Sequence, residues 1–388
     1  MKKRKLKKKY KLALFLFVLL LIGGTVYFGY QHFFSKDGDN QSHYLNIKPK
    51  KYYDIENFEI KQSTIYVAVN GTDKLQYDLQ VSKNYEEDIT FESSDESIAT
   101  INEDGFVTGV SLGKTEVSIK VKDEIRTVPV LVTNLIEVMP EKYNSYKNVI
   151  PCGGYSKEEN DILDDILKTR VEEAGYGTRA GVIAAVRFLT LEFPYKVPYF
   201  SENGRLNGEG YTYKVDGEGR YYHQGLFLHS SRYDILSPKM YGPGSWGCYI
   251  YSYVAEHVSR NGLDCSGFIT WVLLNGGFDP GDIGAGISQI LFDCTDLGEN
   301  TRTPEAIQKG MIKTGDLLSG PDPDGGHIAM VMGMKDGYYY IAECLWGNGG
   351  YGAIVQTYTD ETLPKYFYWH IDMDEFYGND GTYSDFWI

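Results

Sequence analysis

The segment Asn261-Gly262-Leu263-Asp264-Cys265-Ser266-Gly267-Phe268 places a thiol where a helix should begin. Phe268, Trp271 and Val272 recur at helical spacing, Gly262 precedes them and Gly276-Gly277 ends them, so Cys265 falls at or near the helix N-terminus. The unpaired amides and the positive dipole end there favour an anion, which is what a thiolate nucleophile requires. Ser266 and Gly267 keep the approach uncrowded, and amides of the first turn can serve the oxyanion of an acyl-transfer intermediate.

A thiolate nucleophile needs a base, and the chain carries seven histidines. His32 and His43 fall in the N-terminal apolar and tether segments, while the neighbours of His223, His229, His257 and His370 suggest only surface or core. His327 instead opens the strand His327 to Gly333, after the turn Gly320-Pro-Asp-Pro-Asp-Gly-Gly326 and behind the strand approach Lys313 to Leu318. A strand histidine by itself is more often structural, so the register of the next hairpin decides. A three-residue loop Lys335-Asp336-Gly337 pairs Ala329 with Glu343, which then lies diagonally beside His327 on one face. A two-residue loop Asp336-Gly337 turns Glu343 to the other face. In the first register Glu343 fixes the imidazole tautomer and leaves the other ring nitrogen for the thiol.

The elements that must hold these residues follow from composition and periodicity. Of 388 residues, 38 are Lys or Arg and 53 Asp or Glu; the first eleven hold eight of the cations and no acid, which leaves 30 cations against 53 carboxylates, a net of −23, for the rest. So acidic a body argues against nucleic-acid binding. No Cys-x-x-Cys or His-x-x-x-His pair offers a metal site and no cofactor fingerprint is present, so no metal and no cofactor is expected. Leu12 to Tyr30 runs without a charge, close to the roughly 20 residues that a helix needs to cross a bilayer. With cations on its N-terminal side, it reads as a transmembrane anchor that sends the remainder outside the cytoplasm, a cleaved signal peptide being the alternative. Between Ile55 and Thr133 short alternating runs separated by Asn70-Gly71 and Asp104-Gly105 predict a small antiparallel sandwich. Ser156 and Glu159 form a capping box before Ile162, Leu163, Ile166, Leu167 and Val171, and a second helix is predicted from Thr178 to Leu191. The stretch Pro194 to Gly247, rich in Gly, Tyr and Pro, is expected to wrap or roof a site. After Asn261 a helix, two or three strands and a tail predict an α+β domain. Cys152, Cys248, Cys294 and Cys344 allow three pairings, and their spacing selects none.

Two resemblances follow from these motifs. Phe91 to Gly113, FESSDESIATINEDGFVTGVSLG, resembles the bacterial immunoglobulin-like group 2 domain, which implies a cell-surface stalk. LDCSGF at 263–268, TGDLL at 314–318, GHIAMVMG at 326–333 and YYYIAEC at 338–344 resemble the NlpC-type family of bacterial cell-wall cysteine peptidases. That resemblance implies a papain-like fold with Cys265 as nucleophile, His327 as base and Glu343 as third residue, where the family more often carries His, Asn or Gln. It also implies an oxyanion-site tyrosine, for which Tyr241 in Tyr241-Gly-Pro-Gly-Ser-Trp246-Gly247 is the candidate, with Ser266 as a further oxyanion or substrate contact. The organisation expected is a basic segment and transmembrane anchor (1–34), a tether (35–53), an all-β immunoglobulin-like sandwich (54–134), a linker (135–155), a helical and Gly/Tyr-rich extension (156–240) and an α+β papain-like peptidase domain (241–388). The activity implied is a peptidoglycan hydrolase that cleaves γ-D-glutamyl to diamino-acid bonds of stem peptides through an acyl-enzyme. It would sit in the cell membrane of a Gram-positive bacterium, with its catalytic domain outside. The competing readings are an inactive surface-binding or scaffold protein and a wall amidase or transpeptidase.

Overall fold

Alternation of buried and exposed side chains builds the first part of the chain. The computed structural model describes residues 55–82, 89–143, 147–199, 246–248, 260, 262–280, 297–322, 325–345 and 352–388. Nine strands lie between Ile55 and Thr133: β1 (Ile55–Ile60), β2 (Ile65–Ala68), β3 (Thr72–Lys74), β4 (Tyr77–Val81), β5 (Ile89–Ser93), β6 (Ala99–Ile101), β7 (Phe106–Gly109), β8 (Gly113–Val121) and β9 (Glu124–Thr133). On β8 the buried apolar positions are Val117, Ile119 and Val121, and on β9 Val128, Val130 and Val132, as a period of two requires. They close one core with Phe58, Ile65, Val67, Leu75, Ala99 and Val107. The strands form sheets in the orders β2-β9-β8-β5, β3-β7-β6 and β1-β4. β2 runs parallel to β9, so the sandwich is not antiparallel throughout. Gly109 ends β7 against β2, where a Cβ would lie 2.4 Å from the Ala68 carbonyl oxygen; only glycine permits that approach.

Helices then precede a second sheet. α1 (Lys157–Ala174) starts at Ser156, whose Oγ accepts from the Glu159 amide while Glu159 Oε2 accepts from the Ser156 amide. α2 (Arg179–Arg187) starts at Thr178 and passes into a π-helical turn, Phe188–Glu192, in which the Phe193 amide reaches back to the Phe188 carbonyl. After α3 (Cys265–Asn275) come β10 (Glu299–Arg302), α4 (Thr303–Lys309), β11 (Leu317–Asp322), β12 (Gly325–Lys335), β13 (Tyr338–Leu345), β14 (Gly352–Tyr358), α5 (Leu363–Tyr366), β15 (Trp369–Asp372) and α6 (Asp374–Tyr377). The six strands form one antiparallel sheet in the order β10-β15-β11-β12-β13-β14. Leu163, Ile166, Val182, Val186, Phe268 and Trp271 from the helices bury their side chains with Ile328, Met330 and Ala342 from the sheet.

The expected fold class is corrected. The described residues are mostly β, immunoglobulin-like sheets and a six-stranded antiparallel sheet with few helices, and no papain-like α+β domain is evident among them. The sequence reading undercounted strands because β10 (ENTR) and β15 (WHID) are short and lack apolar alternation; they form by pairing with each other and with β11. No helix among the described residues is long and apolar enough to cross a membrane. The stretch Leu12 to Tyr30, expected to be a transmembrane helix, lies outside the described residues, as does 200–245 of the expected roof.

Residues 54–388 form one compact unit, and a buried guanidinium joins the immunoglobulin-like strands to α1. Arg170 binds Asp73 at 2.6 Å and the π-turn's Glu192 at 3.2 Å, and donates to the Tyr66 carbonyl at 2.8 Å. Beside it Glu173 accepts from Gln62. Burial, then the charge of Asp73, pushes Glu173 up from 4.5 to about 7, against the Gln62 hydrogen bond and the Arg170 charge. Burial also raises Glu192. Glu173 holds its proton in the folded protein at pH values where the unfolded chain has lost it. The stability it contributes is therefore complete below about 4.5 and is lost as pH rises through about 7. The unfolding midpoint should be higher at pH 5.5 than at pH 8, and Glu173→Gln should shrink that difference; an undiminished difference would refute the assignment.

A disulfide joins Cys152 to Cys248 across 96 residues, one of the pairings the spacing left open, while Cys265 and Cys344 are free. In the chain-entropy account, closing so long a loop restricts the unfolded state by about 4–5 kcal/mol. Replacing both partners with serine should lower the unfolding free energy, read from a denaturant titration, by an amount of that order; a loss near zero would show that the unfolded chain is constrained by other means.

Candidate active site

Cys265 is the first residue of α3, and the local sequence explains why the helix starts there. The Asp264 side chain accepts from the Gly267 amide at 2.7 Å and from Ser266 Oγ at 3.0 Å, an N-cap completed within the four residues Asp-Cys-Ser-Gly. The cap takes the Gly267 amide, and the Asp264 carbonyl takes that of Phe268. Of the first-turn amides considered for an oxyanion, those of Cys265 and Ser266 are the two that these bonds leave. Cys265 retains 9% of its surface. Behind it the buried Cys344 thiol donates to the Leu263 carbonyl at 2.9 Å, and burial pushes the Cys344 pKa well up, so this second sulfur stays a protonated donor and fixes the backbone two residues before the nucleophile.

The sheet supplies the partners. His327, on β12 opposite Gly320 of β11, keeps 17% of its side chain exposed, and its ring stacks on Phe367 at 6.0 Å. His327 Nε2 lies 2.5 Å from Oε2 of Glu343 on β13, and His327 also hydrogen-bonds the Cys265 thiol. With Nε2 occupied, Nδ1 is the nitrogen left for sulfur. Burial opposes protonation of His327, but the hydrogen bonds to Cys265 and Glu343, then their charges, outweigh it and push its pKa up to about 10. The imidazole thus lies between the sulfur and the carboxylate, an arrangement in which His327 can take the thiol proton as Cys265 attacks. Glu343 is itself held, with 2% of its side chain exposed: Oε1 accepts from Gln356 Nε2 at 2.8 Å and lies 3.5 Å from the Tyr358 hydroxyl, both on β14.

The register that unites His327 and Glu343 is not the one expected. The hairpin turn is the two-residue Asp336-Gly337, both at positive φ, with Lys335 paired to Tyr338. Without interruption that turn would place Glu343 on the opposite face from His327. A β-bulge restores the match: Gly333 pairs with Tyr340 but Val331 with Ile341, so Met332 is an extra residue on β12. Beyond it Met330 pairs with Ala342, and the next step sets Ala329 against Glu343.

Of the other predicted residues, Ser266 is buried and spends its hydroxyl on Asp264, and Tyr241 lies outside the described residues. His32, His43, His223, His229 and His257 also lie outside them, and His370 is buried with Nε2 2.7 Å from Asp316 Oδ2. Sequence reasoning did not name Gln356, Tyr358 or Phe367; alternation would put Gln356 and Tyr358 on one face of a strand, but nothing local says which strand they face. It also missed the cluster around Arg179. This buried side chain at the start of α2 binds Asp316 at 2.8 Å, Asp380 at 2.7 Å and Asp374, and lies over the Tyr377 ring at 4.7 Å. The carboxylates of Asp316, Asp372 and Asp374 come within 4.8 Å of one another, but Arg179 and Lys313 bind within the group, so it reads as a structural ion network rather than a metal centre.

Residues 54–130 match the family model of the bacterial Ig-like domain (group 2), and no cysteine-peptidase family model matches. No curated protein matches the chain. Among solved structures, domains 4 and 5 of the S-layer protein SbsC are similar at 20% identity, covering 21% of this chain and 54% of that one, with a TM-score of 0.20. SbsC domains 5–6 are similar at 18% identity, covering 28% and 59%, with a TM-score of 0.20. An intimin mutant of EHEC O157:H7 is similar at 19% identity, covering 29% and 66%, with a TM-score of 0.17. The chain thus spans about half the length of the first of these.

Proposed function

We propose that this protein is a cysteine hydrolase of peptidoglycan stem peptides that works outside the cytoplasm. The observation that carries this reading is His327 hydrogen-bonded at once to the Cys265 thiol and to a buried carboxylate, 2.5 Å away, that is itself held by Gln356. In the reaction proposed, the Cys265 thiolate attacks a peptide carbonyl, His327 passes its proton to the leaving amine, and an acyl-enzyme forms. Water, deprotonated by His327, then attacks the thioester and releases the acid. The substrate class rests on the likeness of LDCSGF, TGDLL, GHIAMVMG and YYYIAEC to NlpC-type wall peptidases, which points to γ-D-glutamyl to diamino-acid bonds. A structural disulfide favours an oxidising compartment. The basic then apolar N-terminus, Lys2 to Tyr30, would hold the protein at the membrane, and the immunoglobulin-like module would set the site off from it.

The test is digestion of purified peptidoglycan by the intact protein, with the fragments identified by mass. New D-glutamate γ-carboxyl and diamino-acid amine ends support an endopeptidase. Release of intact stem peptides from sugar would assign an amidase, and new cross-links a transpeptidase. No product, together with no accelerated alkylation of Cys265 at pH 6, would leave the scaffold reading in its place.

A further inference from the structure

We propose that Arg187 is a positioning residue of this site, acting through the β12 bulge to set His327 and Glu343 on one face. The inference rests on the hydrolase reading only for its kinetic readout; its geometry stands on the triad of side chains alone. Arg187 ends α2 and is buried, and it touches none of the three reactive side chains. Its Nε and Nη2 donate to the Met332 carbonyl at 3.2 and 3.1 Å, and Nη2 also donates to the Ser384 carbonyl at 2.9 Å. Met332 is the inserted residue, so its carbonyl is the one that the regular ladder does not take.

The energetics favour this role. A buried carbonyl left without a donor forfeits its hydrogen bond to water with nothing in return, a cost that an unsupported bulge would have to bear. A guanidinium offers two parallel N–H groups to one oxygen and suits that position better than an ammonium. Neighbouring contacts hold the same segment of β12: Thr190 Oγ1 lies 3.0 Å from Met332 Sδ, the Gly315 amide donates to the Val331 carbonyl at 2.7 Å, and the Met334 amide donates to the Asp385 carbonyl. Once the guanidinium is gone, the register that keeps every β12 carbonyl in the ladder sets Met332 opposite Ile341 and Met330 opposite Glu343. His327 and Glu343 then part, because one residue of slip exchanges the faces of a strand.

Deleting Met332 changes the turn register nowhere else. Val331 still pairs with Ile341 and Glu343 still lies opposite Ala329, without a bulge and without need of Arg187. The experiment therefore uses Arg187→Met, the Met332 deletion and the two combined, in the intact protein. Two quantities are read across pH 5–10: the second-order rate of Cys265 alkylation by iodoacetamide, located by peptide mapping, and kcat/KM on muropeptides. Alkylation needs no substrate, so a wrong substrate class and a wrong role for Arg187 give different results. Arg187→Met is expected to lower kcat/KM by about 10²-fold or more, since His327 loses the carboxylate that orients it. It should also move the alkaline limb of the alkylation profile to lower pH, as His327 loses its carboxylate. The Met332 deletion should retain the parent alkylation profile, and the combined variant should recover it. A folded Arg187→Met protein with the parent profile overturns the proposal. If Arg187→Met does not fold, the deletion variants decide: a folded deletion protein that has lost the parent profile, or a combined variant that does not regain it, overturns it equally.

Discussion

Cys265→Ala is expected to lower muropeptide hydrolysis by about 10⁴-fold or more, leaving only what binding and oxyanion contacts supply. The size follows from the mechanism, since without sulfur no acyl-enzyme can form and His327 has no anion to serve. His327 is held between Cys265 and Glu343, with its pKa pushed up to about 10, so the alanine variant also removes one of the two partners that raise it. Two measurements check this: initial rates of stem-peptide release, and the titration of His327 by NMR, which should move to lower pH in the variant. Hydrolysis that survives at more than about a hundredth of the parent rate would place the nucleophile elsewhere. Cys344 is not a substitute, because its buried thiol is held protonated and its hydrogen is spent on the Leu263 carbonyl.

Arg179→Met should be the costliest single substitution for folding. Arg179 and Asp316 are wholly buried; Asp316 Oδ1 accepts from Arg179, while Oδ2 faces His370 on β15 and accepts from the Lys313 amide at 2.9 Å. Through this one carboxylate α2, the start of β11 and β15 are held together, and Asp374 and Asp380 bring in α6 and the chain beyond it. Removing the cation strands a buried negative charge, for which about 3–5 kcal/mol is the usual cost. The check is the shift of the denaturant midpoint, compared with Arg179→Met combined with Asp316→Asn. The double variant should be the milder, since the stranded charge has gone. Equal losses would mean that packing over Tyr377, rather than charge pairing, is what Arg179 contributes.

Some of the architecture could be read directly from local pattern. The alternation of Val117, Ile119 and Val121 against Val128, Val130 and Val132 is a property of the strands themselves, and the match of residues 54–130 to the bacterial Ig-like domain agrees with it. Ser156 and Glu159 announce α1 because a cap is satisfied within four residues. The second part of the chain was less legible. Its expected α+β papain-like class gave way to a mostly β architecture because β10 and β15 owe their conformation to partners distant in sequence, as in Glu299 with Asp372, 73 positions apart. The π-turn after α2 is similar: nothing in Phe188 to Glu192 signals a wider helix, but it brings Glu192 to Arg170.

The amino-acid order by itself determined where the thiol sits, since Asp264 caps the helix that Cys265 begins and every contact needed for that lies within four residues. It also allowed the two-residue turn without selecting it over the three-residue Lys335-Asp336-Gly337, as Asp336-Gly337 can adopt the positive φ values that a tight hairpin demands. Only the tertiary structure decided that this turn is compatible with a His327–Glu343 contact. The deciding element is one extra residue, Met332, whose carbonyl is taken by a guanidinium 145 positions earlier in the chain. A strand repeats every two residues, so its faces are exchanged by a single insertion, and whether an insertion is tolerated depends on what donor packs against it.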